Sequence, residues 1–209
     1  MIAFVRAPLR EFYLFAWALL LSGCASLPPQ LPAKSVTPIP PVSVTEISQF
    51  QLAGRVAVKY ADQGFSGSLR WRHDPAQDDI LLLNPLGQGV AHILSTPTGV
   101  TLDTSDSRHY QARDAENLTQ KILGWRLPLH GLRYWAQGMA APNAPSKAQR
   151  DSAGHLTQLN QDGWDIEYRA YKEVSGKMLP GKIFMQRDDL EIKLLLDTWD
   201  LSTPSPQHP

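Results

Sequence analysis

The chain has 209 residues, 43% of them hydrophobic and 9% aromatic, which is enough to build one globular domain with a substantial core. Its formal net charge is zero, so it lacks the basic character that would indicate a nucleic-acid partner. Cys24 is the only cysteine, which excludes an intrachain disulfide and leaves too few thiols for a zinc or iron–sulfur site. We expect no metal, no other cofactor and no nucleic acid among the ligands.

The N-terminus, residues 1–23, is typical of a signal peptide. Arg6 and Arg10 precede an apolar run from Phe12 to Leu21, which is shorter than the roughly 20 residues that a membrane-spanning helix needs. The sequence Leu21-Ser22-Gly23-Cys24 resembles a bacterial lipobox, in which the cysteine is lipidated and becomes the first residue after cleavage. Cys24 is therefore the predicted lipidation site, the alternative being a plain signal peptide followed by an unrelated cysteine.

The residues after Cys24 indicate a destination and a tether. Ala25 and Ser26 stand where this class of lipoprotein carries an Asp when it is retained in the inner membrane, so the lipobox implies the outer membrane. The rest of 24–44 is rich in proline, which precludes a helix and favours a semi-extended tether of roughly 3 Å per residue. The folded domain is predicted to span 45–201, and 202–209 to form a frayed tail.

The first half of the domain mainly has the alternation of β-strands. A short helix is expected over 45–50, with Thr45 as its cap. Strands with one apolar and one polar face follow from Leu52 to Tyr60 and from Phe65 to Arg72. Two shorter strands, over 99–103 and 108–112, complete a predicted antiparallel meander.

Residues 79–94, in the middle of that meander, are predicted to form two apolar strands joined by a tight turn. Asn84, Pro85 and Gly87 fit positions i, i+1 and i+3 of a type I turn, so Leu86 falls near the tip, where a polar residue is more usual. A single exposed leucine commonly has no function. The other interpretation is a membrane-insertion loop formed by Pro85, Leu86 and Gly87.

The second half contains the helices. Asp114 is a predicted N-cap, and helices are expected over 115–124 and 129–137, separated by Pro128. Asp162-Gly163 is typical of a type I′ hairpin turn. Strands are expected around this turn and after it, over 155–161, 164–170, 179–187 and 190–199.

Together these elements predict an α+β, mainly β fold: a strongly curved open antiparallel sheet, or incomplete barrel, whose concave apolar face is covered by the helices. Such a fold either encloses an apolar cavity or packs into a solid core, and the pattern alone does not decide between them. If there is a cavity, its predicted lining consists of apolar residues from the one-sided strands and from the helices: Leu52, Val56, Val58, Phe65, Leu69, Trp71, Leu118, Ile122, Leu132, Trp135, Ile166, Tyr168, Ile192 and Leu194.

An ordered set of short motifs between residues 50 and 199 resembles the LolB family of outer-membrane lipoproteins. The matching segments are Phe50-Gln51-Leu52-Ala53-Gly54-Arg55-Val56, Gly67-Ser68-Leu69-Arg70-Trp71, Leu81-Leu82-Leu83-Asn84-Pro85-Leu86-Gly87, Tyr110-Gln111-Ala112, Gly124-Trp125-Arg126-Leu127-Pro128, Leu132-Arg133-Tyr134-Trp135, Gln161-Asp162-Gly163-Trp164, Tyr168, Leu179-Pro180 and Trp199.

The resemblance implies a lipid-anchored protein of the outer membrane that faces the periplasm. Such a protein accepts lipoproteins from a periplasmic carrier similar to LolA, holds their acyl chains in an apolar cavity and inserts them into the outer-membrane lipid without ATP. The resemblance also assigns Leu86 to a protruding apolar loop, and we expect the protein to act as a monomer. No phosphate-binding Gly-x-x-x-x-Gly-Lys-Ser/Thr sequence occurs, which agrees with a process that uses no nucleotide.

Two other classes of function compete with this interpretation. A lipid hydrolase would need Gly-x-Ser-x-Gly at its nucleophile, whereas the nearest stretch, Gly64-Phe65-Ser66-Gly67-Ser68, ends in serine and lies in a predicted strand. We therefore expect no enzymatic activity. The second alternative is a lipid-binding or structural outer-membrane lipoprotein of another envelope pathway. It would share the anchor and tolerate a cavity, but only an acceptor needs an insertion device such as Leu86.

Overall fold

The computed structural model describes residues 45–201. The predicted signal peptide, the lipidation site Cys24, the tether and the C-terminal tail therefore lie outside the described residues, and their assignments remain predictions. Neither helix found in the described part of the chain is long and apolar enough to cross a membrane.

Thirteen strands and two helices occur in residues 45–201. The strands are β1 (Phe50–Tyr60), β2 (Gln63–Asp74), β3 (Gln77–Leu83), β4 (Gly89–Thr96), β5 (Gly99–Thr104), β6 (His109–Ala112), β7 (Ser146–Arg150), β8 (Leu156–Gln161), β9 (Trp164–Arg169), β10 (Lys172–Val174), β11 (Lys177–Leu179), β12 (Lys182–Arg187) and β13 (Leu190–Asp200). The helices are α1 (Ala115–Leu123) and α2 (Leu129–Trp135).

Eleven of these strands form one antiparallel sheet, in the order β6-β5-β4-β3-β2-β1-β13-β12-β9-β8-β7. The remaining two, β10 and β11, form a separate hairpin. The sheet is large, curved and open, with β6 and β7 as its edges. The prediction of a mainly β protein built on an open antiparallel sheet is confirmed.

The sheet is apolar on one face because its strands keep a common register. In β1, Leu52 lies opposite Trp71 of β2 and Trp199 of β13, and Val56 lies opposite Leu194. Residues directly opposite each other in neighbouring strands project to the same face. The apolar residues of each strand therefore lie beside the apolar residues of its neighbours. The buried residues collect on a single inner face.

Two predictions about local structure were wrong. Residues 45–47 are irregular and β1 begins at Phe50, so the expected helix over 45–50 is absent; instead, the Ile47 amide donates to the Gln137 side-chain oxygen at 2.7 Å. The strand expected over 179–187 is interrupted at Pro180, which has no amide hydrogen to contribute to a ladder. The edge strand β7 was also missed, because all of its residues are exposed and it carries no apolar alternation.

The predicted ends of α1 are confirmed. The Asp114 carboxylate accepts from the Asn117 amide at 2.7 Å, and Gly124 adopts the left-handed conformation, with φ of 83°, that ends the helix. The second helix ends at Trp135, two residues before the predicted boundary, and Gly138 turns the chain with φ of 73°.

The close contact of β2 with β3 gives a prediction about stability. A Cβ atom at Gly67 would lie 1.9 Å from the Leu83 carbonyl oxygen, so Gly67→Ala should force these strands apart. We expect a loss of about 1–3 kcal/mol in the free energy of unfolding, measured by urea denaturation. The control is Gly64→Ala in the same strand, where the added Cβ would lie 3.4 Å from the nearest atom. Equal stability of the two variants would contradict this account.

Candidate functional site

The inner face of the sheet meets residues from and between the two helices in a single apolar interior. Ten apolar residues surround a cavity of about 20 Å³: Val56, Leu69, Trp71, Ile80, Leu82, Trp125, Leu127, Leu132, Ile192 and Leu194. A space of this size holds about one water molecule. The acyl-sized cavity that the resemblance implies is therefore not open in this structure, and the interior is closely packed.

The predicted lining residues all lie in or against this interior. Val56, Leu69, Trp71, Leu132, Ile192 and Leu194 surround the cavity. Others are buried in the same core without reaching the cavity: Leu52, Val58, Leu118, Trp135, Ile166 and Tyr168. Phe65 and Ile122 are half-buried and pack against the core. Whether any of them contacts an acyl chain stays a prediction.

Four residues around the cavity were missed from the sequence. Ile80 and Leu82 belong to β3, which is apolar on both faces, so its alternation does not mark one face as the inner one. Trp125 and Leu127 follow the glycine that ends α1. Trp125 continues the helical spacing of Ala115, Leu118 and Ile122, which was a signal for an inward position. For Leu127 the only signal was a large apolar side chain in a linker, where polar residues are more usual.

The second helix is hydrogen-bonded to other parts of the fold. The Trp135 indole donates to the Gln161 side-chain oxygen of β8 at 2.8 Å, and the same oxygen accepts from the Ala141 amide at 2.8 Å. Gln137, just after the helix, accepts from the Ile47 amide and donates to the Arg133 carbonyl at 2.8 Å. These side chains fasten the C-terminal end of α2 in place.

The hydrogen bonds of the first helix and of the linker after it stay within or next to this segment, while Glu116 also interacts electrostatically with Arg187 of β12. The Leu127 amide donates to the Thr119 hydroxyl at 2.9 Å, and that hydroxyl donates to the Ala115 carbonyl at 2.9 Å. The Gln120 amide group donates to the Gly124 carbonyl at 3.1 Å. Within the described chain, the hydrogen bonds of residues 115–127 stay inside 114–129. This segment therefore meets the inner face of the sheet through apolar contact.

Polar groups in the interior are few and mostly paired. The Trp71 indole donates to Asp78 Oδ1 at 2.9 Å, and His73 Nδ1 lies 2.7 Å from the same oxygen. Burial raises the pKa of Tyr168 well above its ordinary value, and burial also raises the pKa of Tyr171, whose hydroxyl donates to the Leu156 carbonyl at 2.9 Å.

The Asn84–Gly87 turn has the predicted form. The Gly87 amide donates to the Asn84 carbonyl at 2.9 Å, which closes the type I turn. The Asn84 side-chain oxygen accepts from the amides of Leu86 and Gln88, each at 3.0 Å, and Gly87 has a φ of 81°. The Leu86 side chain is 84% exposed at the tip. The hydrogen bonds that hold the turn are made by the neighbours of Leu86 and by its backbone. The turn therefore keeps its shape without any contact from the Leu86 side chain.

No group of three or more His, Cys, Asp or Glu side chains that could hold a metal ion occurs in residues 45–201. The features described above are an apolar interior and an exposed apolar side chain at the tip of the Asn84–Gly87 turn.

Comparison with known families identifies the class. The family model described as outer membrane lipoprotein LolB matches residues 48–199, which is almost the whole of the described chain. The chain belongs to the LolB family of outer-membrane lipoproteins, so the resemblance drawn from the motifs and the outer-membrane localisation are confirmed.

Individual relatives agree with this membership. The chain is 38% identical over 194 residues to the outer-membrane lipoprotein LolB of Nitrosomonas europaea, an alignment that covers 90% of this chain and 91% of the relative. It is also 38% identical over 189 residues to that of Nitrosococcus oceani, covering 88% and 93%.

Solved structures support the fold. A LolA superfamily protein from Nitrosomonas europaea aligns with a TM-score of 0.51 at 10% identity, covering 77% of this chain and 89% of that one. A putative outer membrane lipoprotein-sorting protein domain from Vibrio parahaemolyticus aligns with a TM-score of 0.52 at 9% identity, covering 77% and 88%. At such low identity, the likeness shows a shared fold and nothing further.

The hydrogen bonds of the turn predict how two substitutions differ. Asn84→Ala removes both side-chain bonds to the backbone of the turn, so it should lower the free energy of unfolding by about 1 kcal/mol. Leu86→Glu leaves those bonds intact and alters only an exposed side chain, so its effect should stay within about 0.5 kcal/mol. Thermal and urea unfolding measure both. A large loss for Leu86→Glu would show that the leucine packs against the fold.

Proposed function

We propose that this protein accepts lipoproteins from a periplasmic carrier, shields their acyl chains inside its apolar interior and inserts them into the outer membrane without ATP. It acts as a monomer anchored through Cys24, and it is a transfer protein and not an enzyme. Membership of the LolB family and the LolA-like fold support this role. The observation that carries it is an apolar interior closed by a segment that hydrogen-bonds only to itself.

We call residues 115–127 the lid segment. Because its contacts with the sheet are apolar, an acyl chain can replace them with contacts of the same kind when the segment moves outward. A segment hydrogen-bonded to the strands would instead leave unpaired amides and carbonyls behind. In this proposal the lid segment covers the concave face in the empty protein and rises over the cargo in the loaded one.

The energetic need for such shielding is large. Each methylene removed from water contributes about 0.8 kcal/mol, so one chain of about 16 carbons is stabilised by roughly 12 kcal/mol on burial. The cavity of about 20 Å³ in the closed structure has no room for such a chain. The two alternatives left open by the sequence, a cavity and a solid core, then become the loaded and the empty state of one protein.

Transfer without ATP follows if each acceptor binds the chain more tightly than its donor. A carrier with the same kind of fold offers a similar apolar environment, so the acyl chain leaves one apolar site for another. The difference in binding free energy between the two sites sets the direction of transfer. The final step is release into lipid. The exposed Leu86 is suited to that step, because burying a leucine side chain in the bilayer contributes about 1.5–3 kcal/mol.

Acyl binding should survive loss of the anchor. The Cys24→Ala full-length chain should be a soluble periplasmic protein that binds an environment-sensitive apolar dye near one to one, and an acylated lipoprotein should displace the dye. Fluorescence titration measures both. A folded variant, checked by circular dichroism, that binds neither dye nor lipoprotein would contradict the proposed role of the interior.

Leu86 should matter for delivery and not for capture. Leu86→Glu places a charge where apolar contact with the bilayer is needed, so the variant should take lipoprotein from the carrier and fail to pass it to liposomes. The control is Met178→Glu, which charges another exposed apolar residue on the separate β10–β11 hairpin and should deliver normally. Co-sedimentation of cargo with liposomes measures delivery. Equal delivery by the two variants would leave Leu86 without a role.

A further inference from the structure

The two ends of the lid segment meet the sheet in different surroundings. At one end lies a crevice of about 60 Å³ that we call the rim crevice. It is lined by the tip of the β1–β2 hairpin and the end of α1: Val58, Tyr60, Gln63, Gly64, Phe65, Leu123, Gly124 and Trp125. None of these side chains carries a charge, and most of them are apolar.

The other end is polar. The start of α1 and of α2 meets the β2–β3 and β4–β5 turns in a groove lined by charged groups, among them Asp74, Asp114, Glu116, Arg113 and Arg133. An acyl chain entering there would displace the water that solvates these charged side chains and offer no hydrogen bonds in its place, which raises the free energy of binding. The chemistry of the two ends therefore favours the rim crevice as the opening for a hydrocarbon chain.

Trp125 links the rim crevice to the interior. It lines both the crevice and the cavity of about 20 Å³, and its side chain is buried, at 7% exposed. On β1, Val58 lines the crevice and Val56 lines the cavity. On β2, Phe65 lines the crevice and Leu69 lines the cavity. A row of inner-face residues thus leads from the rim to the cavity, with the indole between them.

The rim crevice opens at the same end of the sheet as Leu86. The strands β1 and β3 both pair antiparallel with β2, so they run in the same direction. The turn after Tyr60 and the turn that carries Leu86 therefore lie at the same end. The linker is near this end too, since a Cβ atom on Gly124 would lie 3.2 Å from the Gln63 side-chain oxygen.

We propose that acyl chains enter and leave the interior through the rim crevice, and that the Trp125 side chain is the gate between the crevice and the cavity. This inference rests on the proposed function and adds to it a route. A chain leaving past Trp125 emerges beside the tip that contacts the bilayer, so it passes from protein to lipid with little exposure to water. The Trp125 side chain can change position because, in the described chain, the backbone around it makes no hydrogen bond to residues outside 114–129.

Blocking the crevice tests the route. The Cys24→Ala chain has no thiol, so a single added cysteine can be labelled with a bulky maleimide. Labelled Gln63→Cys should bind a fluorescent fatty acid several-fold more slowly than the same variant unlabelled. The control is Ala76→Cys, exposed in the β2–β3 turn at the opposite end of the sheet, where the label should change nothing. Equal slowing at both positions, or at neither, would overturn the route.

Opening the gate tests Trp125 itself. Trp125→Ala should raise the association rate several-fold in stopped-flow measurements, because removing the indole lowers the barrier to entry, whatever change in Kd follows from the loss of a side chain that also lines the cavity. Leu127→Ala is the matched control: it truncates a residue that lines the cavity but not the crevice, and should shift Kd instead. A Trp125→Ala variant that loses affinity with unchanged association would be a lining residue and would overturn the gate.

These outcomes separate the route from the function. If the unlabelled chains bind no fatty acid, the proposed function fails and the route with it. If they bind with normal affinity but are insensitive to the label at Gln63→Cys, the function stands and the rim crevice is not the route. The labelling experiment also does not depend on Trp125→Ala folding, since it leaves the interior unchanged.

Discussion

The structure depends on one surface, the apolar inner face of an eleven-stranded sheet, against which only a two-stranded hairpin, β10–β11, is available as a further sheet in residues 45–201. A face of this kind has to be removed from water, and in the described chain the residues between β6 and β7 supply part of that cover. Trp125, Leu127 and Leu132 bring large apolar side chains to the face without extending the sheet. These three residues line the small cavity together with residues of the sheet.

The two parts of the chain between β6 and β7 differ in how they are hydrogen-bonded to the rest of the fold, and this difference suits a transfer protein. Beyond α2 the chain is tied by buried amide groups, those of Gln137 and Gln161, to distant backbone. The preceding segment satisfies its polar groups internally, as Thr119 does by accepting from Leu127 while donating to Ala115. Local opening costs least where no hydrogen bond to the rest of the fold is broken. This difference in hydrogen bonding is the basis of the proposal that residues 115–127 move while the chain beyond α2 stays in place.

The turn at Leu86 keeps a large apolar side chain exposed to water while the turn itself stays folded. Asn84 bonds the backbone of the turn to itself, and Pro85 restricts the chain before the tip. The leucine cannot fold back onto the sheet, because the turn that carries it is fixed by its neighbours. The turn joins β3 and β4, which are both interior strands of the sheet, so the tip is attached to paired strands.

The sequence by itself determined most strands of the sheet, though not the edge strand β7 or the break at Pro180, and it determined both ends of α1, the Asn84–Gly87 turn and the family, because each of these rests on local spacing or on ordered motifs. It also gathered the inner-face residues correctly, since alternation assigns a side chain to one face wherever the other face is polar. Only the tertiary structure decided which residues meet around the small cavity, because β3 is apolar on both faces and Leu127 lies outside any periodic element. The size of the cavity depends on how side chains far apart in the chain fill a shared volume, and no local sequence pattern specifies that volume.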